Sequence, residues 1–154
     1  LAHVHIVTYD LSNIDELKTE SADLIYMCHV LEHIPPTQLH SVLSEIRRIL
    51  KPGGILRLSV PDFNKLIEIY HVSGGDVNSI YRQLLGQPGS DYNAHHMIFN
   101  DQYLRNLLEV AGFRNVTTWD PQNSEYHDFK DTSSKTIRID SQRYPVSLNL
   151  EAIK

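Results

Sequence analysis

The chain has 154 residues, enough for one ordinary domain, and 41% of them are hydrophobic, so a core can form. Fourteen Lys and Arg against nineteen Asp and Glu leave a formal net charge of −5, which argues against binding nucleic acid by neutralising its phosphates. The single cysteine, Cys28, excludes a disulfide framework within the chain and fits a reducing cytosol, and no apolar stretch approaches the ~20 residues of a membrane span.

The opening LAHVHIVTYD has no basic region, no signal-peptide apolar run and no initiator Met, so the chain is expected to begin inside a longer gene product. Within it, VHIVTYDL (Val4–Leu11) is β-branched and apolar and predicts a buried strand. After the polar DELKTES, ADLIYMCHV (Ala22–Val30) predicts a second. From Gln38 to Leu50 the apolar residues Leu39, Val42, Leu43, Ile46, Ile49 and Leu50 fall at spacings of 3 and 4, an amphipathic helix with Thr37 as its expected N-cap. KPGG (Lys51–Gly54) is expected to stop it, and ILRLSV (Ile55–Val60) predicts a third strand, closed by Pro61.

Short helices are predicted at Phe63–Tyr70 and Val77–Leu85, separated by SGGD, and Gly86–Met97 reads as a loop. Asn100 is placed to cap a helix over Asp101–Ala111, and Gly112 stands where a C′ glycine belongs. FRNVTTW (Phe113–Trp119) predicts a fourth strand, followed by a long polar loop over Asp120–Ser134. TIRID and VSLNLEAI (Val146–Ile153) end the chain as strands, joined through SQRYP as a hairpin-like link. Alternation of strands and helices, with strands as near-continuous apolar runs, predicts an α/β domain with a mostly parallel sheet and an antiparallel strand at its C-terminal end.

One stretch raises a chemical question. HVLEH (His29–His33) matches H-x-x-E-H, the inverted zinc-protease pattern. Such a site needs both histidines on one face of a regular helix. Here a strand runs directly into His29, and Pro35 and Pro36 follow His33 by two residues, so at most one helical turn fits. No third ligand is marked by spacing. The strand-end reading is therefore preferred over a zinc hydrolase through His29 and His33, and no metal is expected. In open α/β sheets ligands bind at the carboxyl ends of strands, which makes MCHVLEH the lip of a pocket.

The block SADLIYMCHVLEHIPPTQLHSVLSEIRRILKPGGILRLSVPDF resembles the middle of class I S-adenosylmethionine-dependent methyltransferases, closest to a bacterial group of small predicted methyltransferases with HVLEH…LKPGG…LRLSVPD. YLRNLLEVAGFRNV and SLNLEA are similar to the same group, so the resemblance covers nearly the whole chain as a single domain, residues 1–154. It implies a Rossmann-like sheet and S-adenosylmethionine as cofactor. It also implies that Asp10 and Leu11 meet the adenine, and that Met27, Cys28 and His29 lie under the sulfonium. The family's glycine-rich turn, E/D-x-G-x-G-x-G after its first strand, has no counterpart here: the glycines are Gly53, Gly54, Gly74, Gly75, Gly86, Gly89 and Gly112. An N-terminal strand–helix–strand is expected to be missing. Upstream residues, direct pairing of the first two strands or a second copy of the chain would have to fill the sheet. Without that turn, the 154 residues are expected to bind S-adenosylhomocysteine weakly or not at all.

Each candidate residue also has a plainer reading. Asp10 reads as an adenine acceptor or a loop aspartate, and Cys28 as a buried, inert thiol. His29 is a pocket base or a hydrogen-bonded structural histidine, while Glu32 and His33 read as structural. Asp62 is an acceptor-site residue or a helix N-cap. Tyr92, His95, His96 and His127 lie in loops, where function concentrates. The expected activity is methyl transfer to an O or N nucleophile, with a sugar or polysaccharide precursor as the small-molecule acceptor and His29 and His95 as candidate bases. The rival is a non-catalytic remnant of the fold that acts as a binding or dimerisation module. The expected setting is cytoplasmic, with no nucleic acid or membrane partner and with homodimerisation as one way to complete the sheet.

Overall fold

The computed structural model describes Leu11, residues 13–87 and residues 93–154. The expected strand Val4–Leu11 and the residues Asp10 and Tyr92 therefore lie outside the described residues, and Leu11 itself is in no strand. The first strand, β1 (Ala22–Cys28), is followed by a single 3₁₀ turn at Leu31–His33 and by helix α1 (Pro36–Ile49). Then come strand β2 (Leu50–Pro61), helices α2 (Phe63–Val72), α3 (Tyr81–Leu85) and α4 (Asp101–Val110), and strand β3 (Arg114–Thr118). Strands β4 (Thr136–Ile139), β5 (Gln142–Pro145) and β6 (Ser147–Ile153) complete the chain.

The main sheet has the order β1-β2-β6-β3. β1 runs parallel to β2, and β6 is antiparallel to both its neighbours, as the sequence pattern predicts for the C-terminal strand. Alternation along β2 and β6 splits the sheet into two unlike faces. Leu56, Leu58, Val60, Leu148, Leu150 and Ala152 face the main core with Leu39, Val42, Leu43 and Ile46 of α1 and Leu104 and Leu108 of α4. Each such Leu, Ile or Val side chain contributes roughly 1.5–3 kcal/mol on burial. The opposite face carries Arg57, Ser59, Ser147, Asn149 and Glu151. A second cluster joins Leu66 and Ile69 of α2 to Ile80 and Val146, with Ile137, Ile139 and Tyr144 of the β4–β5 hairpin against it.

Several boundaries differ from the sequence reading. Thr37 does not cap α1: the helix starts at Pro36, with Pro35 in the cap position and no side-chain cap bond. Proline suits the first helical position because its missing N–H would be unpaired there anyway. KPGG does not separate helix from strand; it lies inside β2 as an irregularity, where Ala22 faces Leu50 but Leu24 already faces Ile55. Gly53, at φ +77, takes up that bend. The helix predicted over Val77–Leu85 is a 3₁₀ turn at Val77–Ser79 and then the short α3. SQRYP is no passive link: Gln142–Pro145 forms β5 and pairs with β4, so β4 and β6 are not partners. Asn100 caps α4 as expected, accepting from Tyr103 N, and Gly112 follows at φ +88. No helix among the described residues is long and apolar enough to cross a membrane.

Candidate functional site

The site begins where β1 ends. Cys28 is the last strand residue, and His29 then takes a left-handed backbone at φ +51, anchored by its N–H to Ser59 O at 2.7 Å. Such a conformation is costly for a side chain with a Cβ and concentrates at functional positions. It turns the chain into the Leu31–His33 turn, the single helical turn that the prolines allow. Leu31, fully buried in the main core, pins this turn to the sheet. Glu32 beside it is also 0% exposed.

A loop from far along the chain closes over the turn. His96 N and Met97 N both donate to Glu32 O, at 2.7 and 3.1 Å, and His33 Nδ1 stands 3.0 Å from Ala94 O. Gln87 N donates to Asn93 O and His95 N to Leu85 O. His95 Nδ1 is 3.0 Å from Gln83 O, and the His33 and His95 rings meet edge to face with centroids 4.8 Å apart. Gly86 permits this closure. Its φ of 76° and ψ of −152° belong to a region that is essentially glycine-only, and an added Cβ would fall 1.9 Å from Asn93 O and 2.9 Å from His95 Cδ2.

The result is a cavity of about 280 Å³ lined by His29, Glu32, His33 and His95, with the exposed cations Arg82 and Lys135 among its other walls. The hydrogen-bond network fixes the imidazole tautomers. A carbonyl oxygen only accepts, so Nδ1 of His33 and of His95 carries the proton and Nε2 keeps the lone pair in the neutral rings. Ser147 gives its hydroxyl proton to Thr132 O at 2.9 Å, so His29 Nε2, 2.8 Å from Ser147 Oγ, must donate. That leaves His29 Nδ1 facing Glu32 Oε1 at 3.3 Å. Neither carboxylate oxygen of Glu32 has a hydrogen-bond partner among the described residues. Burial holds His95 below the ordinary imidazole value, although the Glu32 carboxylate acts in the opposite direction. His95 is therefore a neutral ring with a basic nitrogen at neutral pH.

The structure thus brings His29 and His95 together and separates the other candidates. Met27 is in the main core, with its side chain on the α1 face. Cys28 is half-buried on the other face near Tyr26, and burial pushes its thiol up, which makes it a poor nucleophile. Leu11 packs against the main core. Asp62, 6% exposed, caps α2 by accepting from Asn64 N at 3.0 Å. His96 is exposed and contributes its backbone. His127 is buried among the rings of Tyr26, Trp119 and Phe129, 3.9 Å from Asp131. Reading the residues as structural missed the part of Glu32 and His33 in the cavity, and missed Arg82 and Lys135. The available signal was HVLEH itself, a buried acid between two histidines at a strand end.

This arrangement of strands has relatives. A family model described as a methyltransferase domain matches residues 1–118. The chain belongs to this methyltransferase family. A curated relative, the carboxy-S-adenosyl-L-methionine synthase of Pseudoalteromonas translucida, is 43% identical over 53 residues, which is 34% of this chain and 22% of that protein. Among solved structures, a SAM-dependent methyltransferase from Archaeoglobus fulgidus superposes with a TM-score of 0.55 at 18% identity, over 94% of this chain and 64% of the other. A SAM-dependent methyltransferase from Thermotoga maritima, described as a possible histamine N-methyltransferase, gives 0.52 at 22% identity, over 95% and 60%. At these identities the structural likeness concerns the fold, which is the Rossmann-like α/β sheet of these methyltransferases. The methyltransferase-domain chain spans about three-fifths of the length of these two neighbours and about a fifth of the curated relative.

Proposed function

We propose that this methyltransferase-domain chain serves methyl transfer from S-adenosylmethionine to an oxygen or nitrogen of a small acceptor. The observation that carries the reading is the cavity at the carboxyl end of β1, walled by His29, Glu32 and His95, in a chain of this family. Open α/β sheets bind their ligands at that end. A solved neighbour from Burkholderia thailandensis, 18% identical with a TM-score of 0.50, holds S-adenosylhomocysteine.

The described residues fit one side of such a cofactor. Half-buried Cys28 and the left-handed His29 end β1, and His29 brings a polar ring to the cavity; the adenine contact through Asp10 and Leu11 rests on the family resemblance alone. The amino-acid end needs a glycine-rich turn that is not among the seven glycines of the sequence. A second copy of the chain carries the same glycines and cannot supply it, so we assign that turn to residues other than these 154. When bound, the cofactor supplies an electrophilic methyl group. The task of this chain is alignment of the acceptor and removal of its proton. His95 suits the second task, because Nδ1–H is held by Gln83 O and Nε2 keeps its lone pair. His29 donates to Ser147 and faces Glu32, which suits it to orient the acceptor rather than to strip it. Arg82 and Lys135 favour an anionic acceptor, such as a phosphate-bearing sugar precursor. The single cysteine supports a cytosolic setting.

The missing glycine turn also favours a second reading, a binding or dimerisation module of the same fold. The deciding experiment uses protein from the whole gene, with labelled S-adenosylmethionine and a panel of sugar nucleotides and sugar phosphates. Methyl transfer that falls roughly 100-fold or more in His95→Ala supports the enzyme. Absence of both transfer and S-adenosylhomocysteine binding leaves the module reading.

A further inference from the structure

We propose that Glu32, His33 and His95 form a binding site for a divalent transition-metal ion, with His29 at its margin. One ligand atom from each of the three lies within 4.8 Å of the other two. The tautomers suit ligation. Backbone carbonyls of Ala94 and Gln83 hold Nδ1–H of His33 and His95, and this leaves Nε2 of each ring as a donor to a metal. Fixing one ring nitrogen through a carbonyl is how proteins commonly orient a metal-binding imidazole. The third member is the buried Glu32, whose two oxygens have no hydrogen bond among the described residues.

His29 adds an independent observation. Its Nε2 proton goes to Ser147, so in the neutral ring a lone pair on Nδ1 faces the Glu32 carboxylate 3.3 Å away. Two electron-rich groups at that distance, walled off from water at the Glu32 end, call for a cation between or beside them. A metal ion held by Glu32 meets that need. Two imidazoles and a carboxylate match zinc or iron(II) better than magnesium or calcium, which prefer oxygen ligands. Ligands ~2.1 Å from a tetrahedral zinc stand ~3.4 Å apart, so binding draws the three groups together by roughly 1 Å. Remaining coordination positions would open on the cavity. Sequence spacing shows no third ligand because His95 reaches HVLEH only through the loop that Gly86 shapes.

The inference stands whether or not the chain transfers methyl groups, although an ion on His95 Nε2 would occupy the lone pair assigned above to the acceptor's proton. The test reads the metal directly. Protein from the whole gene is stripped with a chelator and titrated with Co²⁺, then Zn²⁺, by calorimetry and visible absorption. The expected result is one saturable Co²⁺ per chain with ligand-field bands, displaced by Zn²⁺. Glu32→Gln, His33→Ala and His95→Ala should each bind roughly 100-fold more weakly. His40→Ala and His71→Ala, at exposed histidines outside the cavity, should bind as wild type. Circular dichroism checks that each variant folds. Nitrogen-15 shifts of the wild-type imidazoles on adding Zn²⁺ identify the ligands without any substitution. The proposal is overturned by absence of one-to-one binding, by unchanged affinity in folded His33→Ala and His95→Ala, or by Zn²⁺ shifts confined to other histidines.

Discussion

Gly86 and His95 are fitted to one another: a Cβ on the glycine would lie 2.9 Å from the imidazole Cδ2 and 1.9 Å from the oxygen of Asn93. With φ +76 at that position, alanine is strained even before it collides. Gly86→Ala is therefore expected to push His95 off the HVLEH turn. A destabilisation of about 1–3 kcal/mol is expected from urea unfolding, together with a shifted His95 ring resonance. A wild-type His95 spectrum in this variant would show that the loop does not depend on the glycine.

Asp62 offers a cleaner distinction. It is buried, and its carboxylate caps α2 at Asn64 N. Asp62→Ala should lower stability by about 1 kcal/mol, whereas Asp62→Asn, which keeps an acceptor oxygen, should change it by only a few tenths. If the asparagine variant is as unstable as the alanine variant, the charge matters beyond the cap.

Arg57 sits on the polar face of the sheet with its side chain 6% exposed. It pairs with Glu151 at 3.0 Å, donates to Glu125 O at 2.7 Å and stacks over Trp119 at 5.1 Å. Arg57→Ala is expected to cost about 3 kcal/mol, since it unpairs Glu151 and removes packing beneath the indole. A calorimetric unfolding series with Glu151→Gln and the double variant measures the coupling. Strict additivity of the two single effects would mean that the ion pair contributes little.

Acid stability should depend on Asp131. Burial alone would raise its carboxyl, but hydrogen bonds from Ser133 and Tyr26 and the nearby His127 outweigh burial and hold it below the usual carboxylate value. A depressed folded-state value contributes stability that is full above the unfolded carboxylate range, about pH 4, and is lost as pH falls through the folded value. Asp131→Asn should therefore narrow the difference between wild type and variant as pH is lowered from 7 toward 3. Parallel urea midpoints for the two proteins across that range would remove Asp131 from the acid transition.

The core was legible because its signals are local. Spacings of 3 and 4 from Leu39 to Ile49 marked α1, and Asn100 with Gly112 bracketed α4. The single turn before Pro35 followed from chain stiffness, whereas the strand read as far as Val30 ends at Cys28, where His29 turns left-handed. What sequence could not show is set by contacts between distant residues. β5 exists because Gln142–Pro145 pairs with β4, although SQRYP reads as a turn. Likewise Glu32 looked like a structural acid, because its unpaired oxygens become visible only when Leu31 is seated in the core and the loop to Met97 is laid over it. His127 looked like a loop histidine open to ligands and is instead a ring packed among three others.

That packing changes how the segment Asp120–Ser134 should be regarded. Tyr26 and Arg57 lie on a face of the sheet where a helix would ordinarily sit, and the segment covers them with His127, Phe129 and the backbone of Glu125. Most connections accept insertions and deletions because nothing beneath them depends on their path. Here the path itself is the covering layer. In a chimera with a related methyltransferase, the segment and the strands it lies on form one exchangeable block, and moving either without the other would leave Arg57 and Trp119 open to water.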